Sequence, residues 1–184
     1  MLDSSIIQQV TDIFKGLEAN YTLSAHISPK RNDSAEMAEF LNDFAQTSSK
    51  IAVAIEEVEG DNLSFALLKN GTDTGISFRG IPNGHEFTSL LLAILNADGK
   101  GKNLPDEGLT RRIKALKGDI RLQTYISLSC TNCPDVVQAA NIFALLNPNI
   151  SHEMIDGALF QSEVESKGVQ AVPSMFADGE LLHV

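Results

Sequence analysis

Cysteines, basic residues and long apolar runs are all scarce in this sequence of 184 residues. Its 14 lysines and arginines are outnumbered by 24 aspartates and glutamates, and the formal net charge is -10. Nucleic acids and anionic membranes bind basic faces, so this charge argues against both as partners. No stretch approaches the apolar length of a membrane span, about eighteen residues or more, and the N-terminus has no signal-peptide pattern. We therefore expect protein partners and a cytoplasmic location.

The chain has only two cysteines, Cys130 and Cys133. Zinc needs about four ligands, and the four histidines show no paired ligand spacing, so we expect no metal site. Hydrophobic residues make up 43% and charged residues 21% of the chain, an ordinary globular composition that needs no disulfide to hold its fold together. Cytoplasmic thiols are kept reduced, so a close pair is expected to be catalytic rather than structural. Inert burial of both cysteines is the remaining alternative.

The first half of the sequence predicts a βαβ unit that is preceded by a helix and followed by a hairpin and a closing helix. Apolar residues at helical spacing predict the helices, and strict apolar–polar alternation predicts strands. Asn70-Gly71 supplies the positive φ angles of a hairpin turn, and Asp3 or Ser4 supplies the N-cap of the first helix. The predicted segments are a helix from Asp3 to Leu17, strands Tyr21–Ser28 and Ile51–Val58 around a helix that includes Met37–Phe44, extended runs Leu63–Lys69 and 72–81, and a helix His85–Leu95.

A polar, glycine-rich stretch from Asn96 to Pro105 separates this half from a second half with the same order of elements. We place a linker at 98–106, a unit without redox cysteines at 1–97 and a unit with both cysteines at 107–184. The predicted fold is α/β, with two tandem βαβ–ββα units packed as one domain with a continuous mixed sheet. Because the second copy has no closing helix, we expect the natural polypeptide to continue beyond Val184. The second half predicts helices Glu107–Leu116, Cys133–Leu146 and Leu159–Lys167, strands Ile120–Ser127 and Ile150–Asp156, and a hairpin that turns at Asp178-Gly179.

Cys130 and Cys133 form a Cys-x-x-Cys-Pro motif at the predicted junction between a strand and a helix. Amide N–H groups at a helix N-terminus have no intrahelical partner, and the helix dipole is positive there, so a thiolate is favoured over a thiol. Such surroundings lower a cysteine pKa from about 8.5 to roughly 3.5–7.5. Cys133 lies one helical turn further on, close enough to attack a mixed disulfide formed by Cys130. This context predicts a dithiol–disulfide electron carrier.

Four other residues are candidates for shaping this site or for docking a substrate. Pro134 is tolerated in the first helical turn, where no N–H is needed, and Thr131 and Asn132 bring no charge. Pro173 precedes the last hairpin and has two interpretations. It is either a proline at the start of a strand, or a cis-proline that shields the disulfide and presents backbone to an extended partner peptide.

Asn83-Gly84-His85-Glu86 opens the helix that closes the first half. One interpretation is a helix cap followed by a carboxylate that complements the helix dipole. The other makes Glu86 an acid–base residue. Attack by Cys133 requires loss of its proton, which a desolvated carboxylate with a raised pKa would accept. The spacing alone leaves both interpretations open.

The order strand, Cys-x-x-Cys, helix, strand, helix, Val-Pro and hairpin is that of thioredoxin, and here it follows a cysteine-free copy of the same unit. In this combination the sequence resembles the N-terminal domain of the flavoprotein (F) subunit of alkyl hydroperoxide reductase. The resemblance covers essentially the whole chain. The segments that carry it are Gly84-His-Glu-Phe-Thr-Ser-Leu90, Tyr125-Ile-Ser-Leu-Ser-Cys-Thr-Asn-Cys-Pro-Asp-Val-Val-Gln-Ala139, Leu146-Asn-Pro148, Ile155-Asp-Gly157 and Gly168-Val-Gln-Ala-Val-Pro173.

The resemblance implies two tandem thioredoxin-like folds that serve peroxide detoxification. They would take electrons from the redox dithiol of an FAD- and NADH-binding reductase portion and pass them to the disulfide of a peroxiredoxin, the C subunit. The resemblance also implies that Cys130 is the attacking thiol, Cys133 its resolving partner, Pro173 a cis-proline and Glu86 an acid–base residue that reaches across from the cysteine-free half. The full-length protein is expected to be a homodimer. This chain has no Gly-x-Gly-x-x-Gly motif, so we expect it to bind neither flavin nor nicotinamide itself.

Two other functions are compatible with the motif. A free-standing protein disulfide oxidoreductase or isomerase would keep the fold, and an isomerase would have a reduction potential near -180 mV rather than the thioredoxin value of about -270 mV. A binding module with an incidental disulfide would be unaffected by the substitution Cys130→Ser.

Overall fold

The structure is a computed structural model, and it describes residues 2–184. The chain divides into two compact units, unit 1 ending at Asp73 and unit 2 beginning at Thr74. In unit 1 the elements follow the predicted order. They are α1 (Ser4–Phe14), β1 (Tyr21–Ile27), α2 (Ser34–Ala45), β2 (Ile51–Glu57) and β3 (Leu63–Lys69).

Local sequence explains the elements of unit 1. The side chain of Asp3 accepts hydrogen bonds from the amides of Ser5 and Ile6, at 2.9 and 3.0 Å, so Asp3 is the N-cap of α1. The alternating residues of β1 bury one face of that strand, which pairs parallel with β2 and antiparallel with β3. Phe14 and Phe44 pack edge to face between α1 and α2, with ring centroids 5.8 Å apart.

Unit 2 contains the mixed sheet that carries both cysteines. Its strands lie in the order β4–β6–β5–β7–β8. Strand β6 is parallel to both β4 and β5, β7 is antiparallel to β5, and β8 is antiparallel to β7. This arrangement confirms the mixed α/β class. The elements are β4 (Thr72–Arg79, of which Thr72 and Asp73 belong to unit 1), a short 3-10 helix (Gly84–Glu86), α3 (Phe87–Ala97), α4 (Glu107–Ala115), β5 (Ile120–Ile126), α5 (Cys133–Leu146), β6 (Ile150–Asp156), α6 (Gln161–Ser166), β7 (Ser174–Ala177) and β8 (Glu180–His183).

The division into compact units falls at a different place from the predicted linker at 98–106. Helix α3, which the sequence assigned to the first unit, lies in unit 2 and packs against α5. Strand β4 pairs with β6 in the same unit. Strand pairing and helix packing between residues distant in the chain therefore make most of β4 and all of α3 part of unit 2. The linker at 98–106 stays a prediction about the repeated order of elements.

Several predicted elements have different ends in the structure, and helix α1 ends at Phe14 rather than Leu17. Strand β4 ends at Arg79 rather than 81, and the helix predicted from His85 begins as the 3-10 helix and becomes α3 at Phe87. Helix α6 is shorter than the predicted Leu159–Lys167. After β4 the chain passes through Gly80, where φ is +116° and an added Cβ would lie 2.9 Å from Cβ of Asp156. This close approach requires glycine and ends the strand.

A buried polar network joins β5, β6 and α5. Oγ1 of Thr124 and Nε2 of His152 are 2.8 Å apart, and Nδ1 of His152 is 2.7 Å from Oδ1 of Asn141. Burial lowers the pKa of His152 to about 3, so the ring is neutral at physiological pH. Because Asn141 presents an oxygen, Nδ1–H donates to it and the Thr124 hydroxyl donates to Nε2.

Within residues 2–184, the helices all fall short of the length and apolarity needed to cross a membrane.

Asn147 ties the end of α5 to the end of α4. Its Nδ2 donates to the carbonyl oxygens of Ile113 and Leu116, at 2.9 and 3.0 Å. Its Oδ1 accepts from the amide of Asn149 at 2.9 Å. The side chain thus caps two carbonyls at the end of α4, of which that of Ile113 also accepts from the amide of Leu116 at 3.2 Å.

We expect Asn147→Ala to lower the free energy of unfolding by about 2 kcal/mol, because the carbonyls of Ile113 and Leu116 would both lose the hydrogen bond that the Asn147 amide donates. Urea denaturation followed by circular dichroism measures this change. The matched control is Asn149→Ala, which removes an exposed side chain and should change stability by less than about 0.5 kcal/mol. Equal stability of the two variants would contradict the role of Asn147.

Candidate redox site

Cys130 and Cys133 form a disulfide between the end of β5 and the start of α5, with their Cα atoms 5.5 Å apart. The amide of Cys130 donates to the carbonyl oxygen of Ser127 at 2.9 Å, which turns the chain out of the strand. Cys133 is the first residue of α5. The motif thus lies at the strand-to-helix junction that the sequence predicted.

The two sulfur atoms have different surroundings. Cys133 is completely buried, whereas Cys130 is partly exposed. The amide of Cys133 donates to Sγ of Cys130 at 3.1 Å. This donor and the positive end of the α5 dipole both stabilise negative charge on Cys130 when the disulfide is reduced. The accessible sulfur is therefore also the one whose thiolate is favoured.

The residues between and beside the cysteines shape the start of α5. Thr131 and Asn132 are exposed, and Asn132 is the N-cap residue without a side-chain capping bond. Pro134 lies in the first turn of α5, where its missing N–H leaves no bond unmade. Thr131 and Asn132 thus leave the approach to Cys130 uncharged.

The loop before β7 lies against Cys130. The Val172–Pro173 peptide bond is cis, as the resemblance implied. The carbonyl oxygen of Val172 is 3.8 Å from Sγ of Cys130, and the hydroxyl of Ser174 donates to the carbonyl of Ala171 at 2.6 Å. A cleft of about 230 Å³ continues from this loop, and its lining includes Tyr125, Ser127, Gly157, Val164, Val169 and Val172.

The side chain of Glu86 is fully buried. Burial raises the pKa of Glu86 to about 7, and a hydrogen bond from Ser89 works in the opposite direction. The hydroxyl of Ser89 donates to Oε2 of Glu86 at 2.6 Å. Neither Asn83 nor Glu86 makes a side-chain capping bond to the helix that follows.

The turn that carries Glu86 lies beside the segment that leads into Cys130. The amide of His85 donates to the carbonyl oxygen of Leu128 at 3.3 Å. Gly84 has φ of +56°, and an added Cβ would lie 2.7 Å from that same oxygen, so only glycine permits the approach. The turn also contacts α5. Glu86 and both cysteines therefore belong to one compact unit.

Sequence reasoning missed two residues next to Glu86. Ser89 and Gln138 both fall in segments that carry the family resemblance, but neither has a role that the sequence alone reveals. Ser89 follows Glu86 by three residues, the spacing at which a hydroxyl at a helix start meets the preceding carboxyl group. Gln138 contacts Ser89, with its Nε2 3.4 Å from the Ser89 hydroxyl oxygen, and this contact depends on tertiary packing and leaves no local signal. Across the described residues, 2–184, no three His, Cys, Asp or Glu side chains are grouped to hold a metal ion.

Comparisons with known proteins agree with this geometry. Residues 120–184 match the family model described as a thioredoxin domain. The chain is 42% identical to a Bacillus subtilis (strain 168) protein named NADH dehydrogenase, over 98% of this chain and 35% of the relative. It is 40% identical to the F subunit of alkyl hydroperoxide reductase of Pseudomonas aeruginosa, over 98% of this chain and 34% of the relative. The chain thus spans about a third of the length of the curated relatives that it matches.

Among the solved structures that match this chain over its whole length is the crystal structure of the NTD_N/C domain of alkylhydroperoxide reductase AhpF from Enterococcus faecalis (V583), with 33% sequence identity and a TM-score of 0.86. The match covers 100% of this chain and 94% of that chain. The thioredoxin-like fold and the resemblance found in the sequence are confirmed. The chain belongs to the family of the N-terminal domain of the alkyl hydroperoxide reductase flavoprotein, AhpF.

Proposed function

We propose that this chain is the dithiol–disulfide electron carrier of an alkyl hydroperoxide reductase. It would take reducing equivalents from a disulfide reductase portion that uses FAD and NADH, and pass them to the disulfide of a peroxiredoxin. The observation that carries the proposal is the contrast between a partly exposed Cys130, which accepts a backbone N–H, and a fully buried Cys133. On the same family likeness, we place the full-length protein in the cytoplasm as a homodimer.

The first step is attack on the peroxiredoxin disulfide by Cys130 in its thiolate form. An S–S bond forms between Cys130 and one partner sulfur, and the partner's own S–S bond breaks. The other partner sulfur leaves as a thiolate and takes a proton from solvent. Cys130 suits this step because its sulfur is accessible and its thiolate would be stabilised by the Cys133 amide.

The second step releases the partner. Cys133 loses its proton, and its thiolate attacks Sγ of Cys130, so that the Cys130–Cys133 disulfide forms as the mixed disulfide breaks. The partner sulfur leaves as a thiolate and takes a proton from solvent, so two electrons have passed from the carrier to the peroxiredoxin, which now has two thiols. A buried thiol ionises poorly, so a nearby base is needed. Glu86, with its pKa raised to about 7 by burial, is matched to accept that proton near neutral pH.

The loop that ends at Pro173 would dock the partner. The carbonyl of Val172 lies 3.8 Å from Sγ of Cys130, so an extended peptide bound alongside this backbone would bring its sulfur to Cys130. The adjoining cleft of about 230 Å³ offers room for side chains of that peptide. Thr131, Asn132 and Pro134 would border the approach on the α5 side.

The two cysteines should differ when each is replaced. With oxidised peroxiredoxin, pre-reduced Cys133→Ser should accumulate a mixed disulfide, because Cys130 can attack but nothing resolves the product. Cys130→Ser should form none, because its remaining thiol is buried. Non-reducing electrophoresis and intact-mass measurement detect the adduct. If both variants reduced the peroxiredoxin at the wild-type rate, the relay would be disproved and the binding-module alternative favoured.

Glu86→Gln should slow release of the partner without unfolding the chain. The rate of peroxiredoxin reduction by the wild type should rise with pH through about 7, where Glu86 becomes a base. The variant should show no such rise, and above pH 7 its rate should be roughly 100-fold lower than that of the wild type. Stopped-flow measurement of peroxiredoxin reduction between pH 5 and 8 follows this. The matched control is Glu107→Gln, at an exposed glutamate in the first turn of α4. A wild-type dependence of the rate on pH in Glu86→Gln would contradict the assignment of Glu86 as the base.

The same substitution should change how stability depends on pH. The folded pKa of Glu86, about 7, lies above the ordinary value of 4.5, so the folded chain binds the proton more tightly than the unfolded chain does. This contribution is therefore complete below about pH 4.5 and is lost as pH rises through about 7. Glu86→Gln should retain its stability over that interval, as urea denaturation at each pH would show. An equal decline in both proteins would exclude the raised pKa.

A further inference from the structure

The two oxygens of the Glu86 carboxyl group have different surroundings. Oε2 accepts a hydrogen bond from the hydroxyl of Ser89 at 2.6 Å. Oε1 is also buried, but it has no hydrogen-bond partner among residues 2–184. A buried carboxyl oxygen without a donor holds a proton more readily than one that already accepts a hydrogen bond. The two oxygens are therefore not equivalent as proton acceptors.

Gln138 orients the hydroxyl of Ser89. Its Nε2 lies 3.4 Å from Oγ of Ser89, and an amide nitrogen can only donate. With its oxygen accepting from Gln138, Ser89 directs its single proton to Oε2 of Glu86. In a series of hydrogen bonds, each bond polarises the next. Because Gln138 belongs to α5, this series of hydrogen bonds connects the helix that begins at Cys133 with the Glu86 carboxyl group.

Few other titratable groups lie on the elements that surround Glu86. Helix α3 contains none, and the turn itself adds only His85, which is exposed. Helix α5 contributes Cys133 and the exposed Asp135, and the segment after Leu128 contributes Cys130. The pKa of Glu86 is raised by burial and lowered by the Ser89 bond. Ser89 is therefore the principal polar influence on this carboxyl group.

We propose that Ser89, oriented by Gln138, is a positioning residue that holds Glu86 by Oε2 and leaves Oε1 as the oxygen that exchanges the proton. This inference rests on the acid–base role proposed for Glu86. The bond to Oε2 stabilises the carboxylate and opposes part of the effect of burial, so Glu86 can release its proton near neutral pH. The competing interpretation gives Ser89 only a structural role at the start of α3.

The first test measures the pKa of Glu86 directly by infrared or 13C NMR titration, with Glu86→Gln to identify its signal. Ser89→Ala should raise that pKa by about one unit, because the carboxylate loses a charge-assisted hydrogen bond. Gln138→Leu should produce a smaller rise, and Ser89→Thr, which retains the hydroxyl, should restore the wild-type value. The control is Thr88→Ala, which removes an exposed hydroxyl one residue away and should have no effect.

The second test identifies the oxygen that carries the proton. If Oε1 is protonated, Oε2 is the carbonyl oxygen and accepts from Ser89, so Ser89→Ala should shift the C=O stretch of protonated Glu86 to higher wavenumber. If Oε2 were protonated, the free carbonyl would already be Oε1, and Ser89→Ala would leave the stretch unchanged. An unchanged stretch overturns the assignment of Oε1, and an unchanged pKa overturns the role of Ser89.

Failure of this inference is distinguishable from failure of the proposed function. In Ser89→Ala, the midpoint of the pH profile for peroxiredoxin reduction should rise together with the pKa of Glu86. If the pKa rises but the profile does not, Ser89 positions Glu86 but Glu86 is not the base. If Ser89→Ala does not fold, Gln138→Leu tests the same series of hydrogen bonds, because Gln138 is only partly buried. An unchanged pKa of Glu86 in Gln138→Leu would count against the proposal.

Discussion

The hydrogen bond from the amide of His85 to the carbonyl oxygen of Leu128 joins the two segments from which the site is built. Gly84 makes this contact possible, because any side chain there would strike the same carbonyl. Leu128 lies two residues before Cys130, and Glu86 one residue after His85. A single backbone contact thus places the turn that carries Glu86 beside the segment that leads into the redox pair. The chemistry proposed for Glu86 depends on that approach.

Burial sets the properties of this site more than charge does. Cys133 and Glu86 are both fully buried, and the pKa of Glu86 is raised mainly because desolvation disfavours its charged form. Cys130 is the contrasting case, since it is partly exposed and accepts a backbone N–H. One sulfur is therefore open to a partner and beside a donor that stabilises a thiolate, while the other is enclosed. The hydrogen bond from Ser89 opposes part of the effect of burial on the pKa of Glu86.

Most of the secondary structure was predictable because its signals are local. Asp3 caps α1, the alternation of β1 buries one face, and Asp178 and Gly179 both have the positive φ angles that a tight hairpin turn requires. The differences were at the ends of elements. Strand β4 ends early because Gly80 passes close to Asp156. Such contacts come from residues distant in the chain, and a local pattern does not record them.

The sequence by itself determined the redox motif, its position between a strand and a helix, the α/β class and the family. These follow from spacing, periodicity and short motifs, which neighbouring residues specify among themselves. Only the tertiary structure decided that Cys130 is the accessible sulfur, that Glu86 is buried, and that Gln138 donates to Ser89 while Ser89 donates to Oε2 of Glu86. Burial and hydrogen-bond partners are properties of packing, because they depend on which distant segments come together. The sequence was therefore enough to identify the cysteine pair, but the burial and hydrogen bonds around the pair are found only in the tertiary structure.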